Sequence, residues 1–370
     1  MVTDGPQVLF ERNPDGAVTP ASTMKLLTAT AVLERIDPSS RLRTPVIASA
    51  PPDASGTVNG DLFLVGGGDP VLGTLPYGAH FTRQPRLLNA IEVLADRVVA
   101  AGVRHVTGRV VGDDGRYERV RYLPSWPARY ISDHDTGPLS ALAVNDGFER
   151  WSPMVPFADP AAGAAGVFNE LLRQRGVVVD GGPASGTAPA NGVEVTALDS
   201  PTIAELVGEM LLDSDNETAE LLLRELGLRV LGAGTTDAGR RVATDTLGRL
   251  GLPMAGVTIV DGSGLDQGDR VTCRLMTAIL TSSPWKALVA QGLPVAAQTG
   301  TLYKRFLATP VAGQLRAKTG SIRSVSALAG YADGADGRTL TFTYEQNNVG
   351  SRDGMERQDE LGHTLVSTRR

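Results

Sequence analysis

Pro20-Ala21-Ser22-Thr23-Met24-Lys25 opens a run whose apolar positions Met24, Leu27, Ala31 and Val32 recur at helical spacing until Asp37-Pro38 ends it. The spacing predicts a helix beginning at Ser22, and residues three apart share one helix face. Ser22 and Lys25 are therefore expected to point at the same spot. A helix N-terminus adds unpaired N–H groups and positive potential, which lower the pKa of a nearby lysine and favour a developing oxyanion. A neutral lysine there takes the proton of a serine hydroxyl that is otherwise a weak nucleophile. The pattern recurs at Ser283-Pro284-Trp285-Lys286, again at a predicted helix start. For either copy, taken alone, a capping serine and a solvated lysine are an equally open reading.

Lysine is scarce. It occurs only at 25, 286, 304 and 318, against 31 arginines. Where either charge suffices this chain uses arginine, so the remaining lysines mark positions of interest. Arginine cannot lose its proton at accessible pH, and lysine can.

Two more segments carry groups suited to the same chemistry. Ser214-Asp215-Asn216 is the sole Ser-x-Asn of the chain and falls in a short break between two predicted helices. A hydroxyl and an amide could face a cleft there; equally, Asp215 or Asn216 suits an ordinary cap for the helix that follows. Lys318-Thr319-Gly320-Ser321 lies on a predicted strand. Its lysine and hydroxyl could hold a carboxylate, its glycine leaves room for a substrate backbone, and a free N–H at Ser321 could form half of an oxyanion hole. An exposed strand lysine beside a bulge is the alternative.

The rest of the chain gives the layout. At 370 residues it is long for one domain and fits two. From about Arg43 to Val195, short alternating strands (Val58 to Val65, Val106 to Gly112) separated by glycine-rich turns are interrupted by predicted helices at Arg86 to Ala101 and Ala161 to Arg175. Ser200-Pro201 is expected to restart helical structure, with breaks at 213–216 and 232–234. Gln314 to Ala332 and Arg338 to Gln346 read as two strands joined at 333–337, and a last helix over Asp353 to Val366 has Met355, Leu361 and Leu365 on its apolar side. The fold class expected is α+β: an antiparallel sheet flanked by helices in a catalytic domain made of residues 1–42 and 197–370, with a smaller α+β domain inserted at 43–196.

Composition excludes some functions. A net charge of −6 argues against a nucleic-acid binder. No stretch approaches 18 uninterrupted apolar residues, so no transmembrane segment is expected. Met1 to Gly5 is polar, so either the protein is cytoplasmic or its targeting segment lies outside this chain. The lone Cys273 reads as a small core residue.

Taken together, the three motifs resemble those of the active-site serine penicilloyl enzymes, in the order and on the elements that fold requires. Lys286 fails the test, because its motif follows Ser-x-Asn. Over nearly the whole chain the sequence is similar to low-molecular-mass penicillin-binding proteins of the D-Ala-D-Ala carboxypeptidase/endopeptidase (DacB-like) type. The similarity rests on Pro20 to Lys25, Asp61-Leu62-Phe63-Leu64-Val65-Gly66-Gly67-Gly68-Asp69-Pro70, Ser214-Asp215-Asn216 with Ala219-Glu220, Asp261-Gly262-Ser263-Gly264-Leu265 and Lys318 to Ser321. A gap of nearly two hundred residues separates the first two catalytic motifs, where β-lactamases have a much shorter one.

The resemblance implies a penicilloyl serine transferase domain and DD-peptidase chemistry on peptidoglycan stem peptides, in an extracytoplasmic space, with β-lactams as covalent inhibitors and no metal or organic cofactor. Ser22 would be acylated and Lys25 would be its base. Ser214 would join the proton relay near Lys318, and Asn216 would orient the substrate amide. Lys318 and Thr319 would hold the terminal carboxylate, and the N–H groups of Ser22 and Ser321 would form the oxyanion hole, with Gly320 leaving room between them. Asp146 falls where the family places a substrate-recognising acid. The chain departs from the family at Gln267, where arginine is common, and at Arg323, where glutamine is. If both line the site, positive charge has moved across it and stem-peptide preference differs. The short stretch Gly147 to Pro160 leaves no room for the third domain of some members, and the chain begins after their first helix, which suggests trimming. A β-lactamase-like hydrolase and a catalytically weak cell-wall binding protein are the rivals. Against them, no Glu-x-x-Leu-Asn segment occurs and every motif residue is intact. The four scattered histidines and the lack of a Gly-x-Ser-x-Gly elbow argue against a histidine-based hydrolase.

Overall fold

The computed structural model describes residues 1–368. The chain divides into two units: Met1–Pro38 with the segment from Ala204 onward, and Ser39–Ile203 between them. These junctions differ from the 42/43 and 196/197 boundaries expected from sequence. The reason is strand pairing: Arg41–Ala48 and Val193–Thr202 run antiparallel in one sheet of the second unit, which draws both flanks into it. Ser200 and Pro201 therefore lie in a strand, not at a helix start. The Ser200 hydroxyl accepts the Leu42 N–H at 2.9 Å across that pairing, and the next helix begins at Ile203.

In the first unit a five-stranded antiparallel sheet runs in the order Leu315–Ile322, Val325–Asp333, Thr339–Asn347, Val2–Asp4, Gln7–Phe10. The stretch expected as one strand over Gln314 to Ala332 is a hairpin. It turns at Arg323-Ser324, where Ser324 adopts φ +63°. Two-residue hairpin turns need positive φ and are normally announced by Gly or Asn. Arg-Ser carries no such signal, so the apolar run reads through it.

The last helix, Ser351–Ser367, packs on this sheet. Its inward stripe is not Met355, which faces solvent, but Gly354, Gln358 and Gly362 four residues apart, followed by Leu365 and Val366. Gln358 Nε2 donates to Ser326 Oγ at 2.6 Å and to Ala327 O at 3.2 Å. A polar and two small residues give no hydrophobic signal, yet they set how closely the helix approaches. Between helix and sheet lies a core of Leu315, Ala317, Leu328, Ala332, Leu340, Phe342 and Leu365.

The other side of the unit is helical. Helix Lys25–Arg35 is buried from Lys25 through Leu33, and helices Asn216–Leu231, Thr236–Arg249, Cys273–Ser282 and Lys286–Gly292 pack against it. A helix covered on all sides is expected to be apolar all round; the buried polar residues here are Lys25 at its first position and Thr28 and Thr30, whose hydroxyls donate to Gly262 O and Leu26 O. The helix breaks expected from sequence are real. Asp215 caps the second of these helices by accepting the Thr218 N–H at 2.6 Å, and Gly232 closes it in the left-handed conformation. Cys273 opens its helix as a buried residue.

The second unit holds a mixed sheet in the order Ala184–Ser185, Val110–Asp113, Leu62–Val65, Arg41–Ala48, Val193–Thr202. A smaller sheet joins Val178–Val179, His105–Val106 and Thr57–Val58. Each alternating run expected as one strand is thus split between two sheets. Strand Arg41–Ala48 buries Leu42, Thr44, Val46 and Ala48 in strict alternation. Helices Ile91–Ala100 and Pro160–Gln174 close a core around Leu64, Leu94, Val110 and Phe168.

Phe342 is fully buried in the sheet–helix core. Phe342→Ala should cost about 3–5 kcal/mol, measured as a loss in urea unfolding of the first unit followed by Trp285 fluorescence. A loss below about 1 kcal/mol would mean that this core does not hold the helix to the sheet.

Candidate active site

The residues preceding helix Lys25–Arg35 do not continue it. Ala21–Met24 form a 3₁₀ turn, so Ser22 sits on the turn and Lys25 is the first α-helical residue. Ala21 holds φ +51°, a conformation that costs a non-glycine residue about 1 kcal/mol or more. Three contacts brace the turn. Gly264 presses on it so closely that a Cβ would lie 1.9 Å from Ala21 O, and at Gly320 a Cβ would lie 2.6 Å from Pro20 O. Thr23 Oγ1 lies 2.9 Å from both Pro20 O and Glu345 Oε1. One hydroxyl proton cannot serve two acceptors, so a neutral Glu345 carboxyl donating to Thr23 fits the geometry. Desolvation, which raises the Glu345 carboxyl well above the usual carboxylate range, keeps it in that form.

Lys25 has no exposed surface. Its Nζ meets Ser22 Oγ at 3.1 Å, Asn216 Oδ1 at 2.6 Å and Ser263 O at 2.8 Å. Burial lowers its pKa to about 8, against the opposing pull of Asp261, Asp215, Glu220 and Asp269. The first residue of helix Asn216–Leu231 thus reaches the amine while Asp215 before it does the capping. Ser214 takes φ +61° and accepts from Lys318 Nζ at 2.8 Å.

Lys318 also has no exposed surface, and its Nζ donates to Thr319 O at 2.8 Å. Burial, then the charge of Lys25, holds its pKa well below the ordinary lysine value. Strand Leu315–Ile322 is the sheet edge. The Ala317 N–H donates outward to Pro294 O at 2.9 Å, and the register to the next strand is unbroken. Alternation along the strand therefore turns the N–H groups of Thr319 and Ser321 to the same outer edge. Thr319 Oγ1 lies 2.8 Å from Thr301 Oγ1.

The structure thus gathers Ser22, Lys25, Asn216, Ser214, Lys318, Thr319 and Gly320 into one continuous set of contacts, with Ser321 on the exposed end of its strand. Arg323 is exposed in the hairpin turn. Asp146 lies in the second unit, where it takes φ +53° and accepts the Tyr77 hydroxyl at 2.6 Å. The decoy Lys286 is exposed and donates to Thr281 O at 2.7 Å, while the Ser283 hydroxyl accepts the Trp285 N–H; the lysine lies at the surface, but helix Lys286–Gly292 has no side-chain cap and Ser283 instead ends the helix before it. Sequence reasoning assigned no role to the Ser263 carbonyl or to Thr301. A main-chain oxygen carries no side-chain signal, and Thr301 lies in an irregular segment. Among the described residues, no group of three or more His, Cys, Asp or Glu side chains is arranged to hold a metal ion.

Comparison with known proteins places this site in a family. The sequence pattern of the D-Ala-D-Ala carboxypeptidase 3 (S13) family matches residues 2–154 and 148–367. A D-alanyl-D-alanine carboxypeptidase of Actinomadura sp. (strain R39) is 29% identical, covering 97% of this chain and 78% of the relative. That alignment runs over 440 positions, more than this chain contains, so the relative carries additional segments within the matched span. The carboxypeptidase DacB of Mycolicibacterium smegmatis is 31% identical, covering 97% of this chain and 77% of the relative. Among solved structures, penicillin-binding protein 4 of Haemophilus influenzae superposes with a TM-score of 0.84 over 99% of this chain and 96% of its own, at 18% identity. With its nucleophile turn, inter-helix loop and edge strand assembled as described, the chain belongs to the D-Ala-D-Ala carboxypeptidase 3 (S13) family of serine peptidases.

Proposed function

We propose that this protein is a serine DD-peptidase that cleaves the D-Ala-D-Ala terminus of peptidoglycan stem peptides, and cross-links of the same chemistry, through an acyl-enzyme on Ser22. One observation carries the assignment of roles: the three oxygens around Lys25 Nζ. Asn216 Oδ1 and Ser263 O can only accept. A neutral amine has two N–H bonds and one lone pair. The two acceptors take the two N–H bonds, and the lone pair is left facing the Ser22 hydroxyl. Lys25 is thereby oriented as a base before substrate arrives, and its lowered pKa keeps much of it neutral near pH 8.

The reaction follows from the arrangement. Ser22 Oγ attacks the carbonyl carbon of the penultimate D-alanine while its proton passes to Lys25. The developing oxyanion is met by the N–H groups of Ser22 and Ser321. Collapse breaks the amide bond, and the leaving D-alanine nitrogen takes a proton from the Lys25–Ser214–Lys318 group. Water then hydrolyses the ester. The substrate backbone lies along the open edge of strand Leu315–Ile322, with its amide on Asn216 and its terminal carboxylate on Thr319 and Lys318. Both Nζ contacts of Lys318 are made inside the protein, to Ser214 and Thr319 O, which supports its part in the relay; only the third N–H of its ammonium is left for the carboxylate. Asp146 and Arg323 are the candidates for reading the side chain of the stem peptide.

A β-lactam presents the same carbonyl beside a carboxylate and acylates Ser22. The names of related structures support this: one is penicillin-binding protein 4 of H. influenzae with a β-lactam, another a Bdellovibrio bacteriovorus endopeptidase acylated by penicillin G. Stem peptides lie outside the cytoplasmic membrane, so the protein works in an extracytoplasmic space.

Three outcomes test this reading. Fluorescent penicillin should label the protein stably and leave Ser22→Ala unlabelled; rapid loss of label would favour a β-lactamase, and no label on the unaltered protein would reject both enzymes. Lys25→Arg should lower the acylation rate by at least about 10³-fold, since guanidinium keeps its charge but cannot accept the proton; retained acylation would remove Lys25 as the base. The acylation efficiency of the free enzyme should rise with pH through a single ionisation near the Lys25 value of about 8, because only the deprotonated amine is active. A profile flat from about pH 6 to 9 would contradict it.

A further inference from the structure

Behind Lys25, away from Ser22, lies a set of buried carboxyl groups that the reaction itself does not use. Glu220, Asp261 and Asp269 have no exposed surface, and each is spent on the backbone of one loop, residues 260–266. Glu220 Oε1 accepts the N–H groups of Gly262 at 3.0 Å and Ser263 at 2.8 Å. Asp261 Oδ1 accepts Gly264 N–H and Oδ2 accepts Asp266 N–H, both at 2.7 Å. Asp269 Oδ1 accepts Val260 N–H at 2.7 Å. The Ser263 carbonyl, flanked by the Ser263 N–H held by Glu220 and the Gly264 N–H held by Asp261, is the oxygen that meets Lys25 Nζ.

We propose that Glu220, Asp261 and Asp269 are positioning residues that clamp this loop so that the Ser263 carbonyl stays on the Lys25 amine, and that Asp261 contributes negative charge which Lys25 faces. The clamp rests on the reading of Lys25 as the base.

The charge assignment follows from the contacts. Asp269 Oδ1, besides the Val260 N–H, lies 3.5 Å from the Asp261 N–H, so the two carboxyls meet at one end of the loop. Burial and then the charge of Asp261 push Asp269 well above the ordinary carboxylate range. Burial, again helped by the charge of Asp261, raises Glu220 to about 8, against the pull of Arg224 on the same helix. Burial thus favours the neutral form of both, and Asp261 comes first among the acidic neighbours that pull on Lys25. The charged and titratable groups around Lys25 come from four directions: Asp261 and Asp269 from the loop, with Asp266 beside Asp269; Glu220 with Arg224 from helix Asn216–Leu231; Asp215 from its cap; and Lys318 from the strand. The cluster solves a conflict. A base must be desolvated enough to lose its proton, yet must take one during acylation and return it. A buried acidic cluster in which burial pushes Glu220 and Asp269 towards the neutral form stabilises the transient ammonium without holding it permanently.

The test is the pH dependence of β-lactam acylation in Asp261→Asn, Glu220→Gln and Glu220→Ala, each checked for folding by circular dichroism. Asparagine keeps one acceptor oxygen for Gly264 N–H and removes the charge. Without that charge the ammonium is disfavoured, so the acid limb should move to lower pH by about one unit or more. A folded Asp261→Asn with an unmoved acid limb would overturn the charge assignment. Glutamine keeps an oxygen for Gly262 and Ser263, so Glu220→Gln should acylate within about twofold of the unaltered protein at pH 7. Glu220→Ala frees the loop and should fall by at least about tenfold. If Asp261→Asn fails to fold, the Glu220 pair decides: alanine and glutamine behaving alike would overturn the clamp. Lys25→Arg in the same assay separates the two levels of the argument. Normal acylation by that variant removes the base itself; loss of acylation there, with Glu220→Ala and Glu220→Gln behaving alike, removes only the clamp.

Discussion

The desolvated amine of Lys25 is the constraint on which the rest of the first unit depends. An ammonium buried without partners would cost several kcal/mol, and in practice such a group surrenders its proton or acquires partners. Here it does some of each. Three oxygens from three separate segments converge on Nζ, and no segment could be removed without stranding it. The helix that carries Lys25 is covered on all sides by other helices, and this is why the amine is dry. The same burial that makes the site expensive lowers the pKa of the lysine to about 8.

Local strain is concentrated around that amine. Ala21 and Ser214 both hold positive φ without being glycine, one beside the nucleophile and the other beside the second lysine. Positive φ at non-glycine residues persists only where the surroundings enforce it. The enforcing contacts are visible: Gly264 and Gly320 close on the turn at Pro20–Thr23, and Lys318 holds Ser214. Rigidity comes from packing of backbone on backbone, which allows no side chain at those two glycines.

How much of this could be read from the chain depended on whether a feature leaves a mark in side-chain chemistry. Ser22, Lys25, Ser214, Asn216 and Lys318 do, because nucleophile, amine and amide are scarce types in fixed order, and the shortage of lysine set two of them apart. Helix boundaries at Asp215, Gly232 and Asp37-Pro38 do as well, since caps and breakers are local. The hairpin at Arg323-Ser324 does not, because its turn residues are not the ones that usually adopt positive φ. The inward face of the last helix does not, because glycine and glutamine give no apolar period. The strand at Ser200-Pro201 looked like a cap because its serine is bonded across a sheet to Leu42, 158 positions away.

The amino-acid sequence by itself determined the kind of chemistry: a serine with a lysine one helical turn away, a Ser-x-Asn loop and a Lys-Thr-Gly strand in the order of a known enzyme class. Those choices are local, made by residue type and short spacing. The tertiary structure alone decided the surroundings of each serine–lysine pair. Ser22 with Lys25 and Ser283 with Lys286 share one spacing, and in the sequence only their order relative to Ser-x-Asn separates them. In the fold they differ in that one amine is buried against Asn216 and the Ser263 carbonyl, and the other lies in water on Thr281. Desolvation and acceptor-only neighbours make a lysine basic at accessible pH, and both are supplied by segments roughly two hundred residues away.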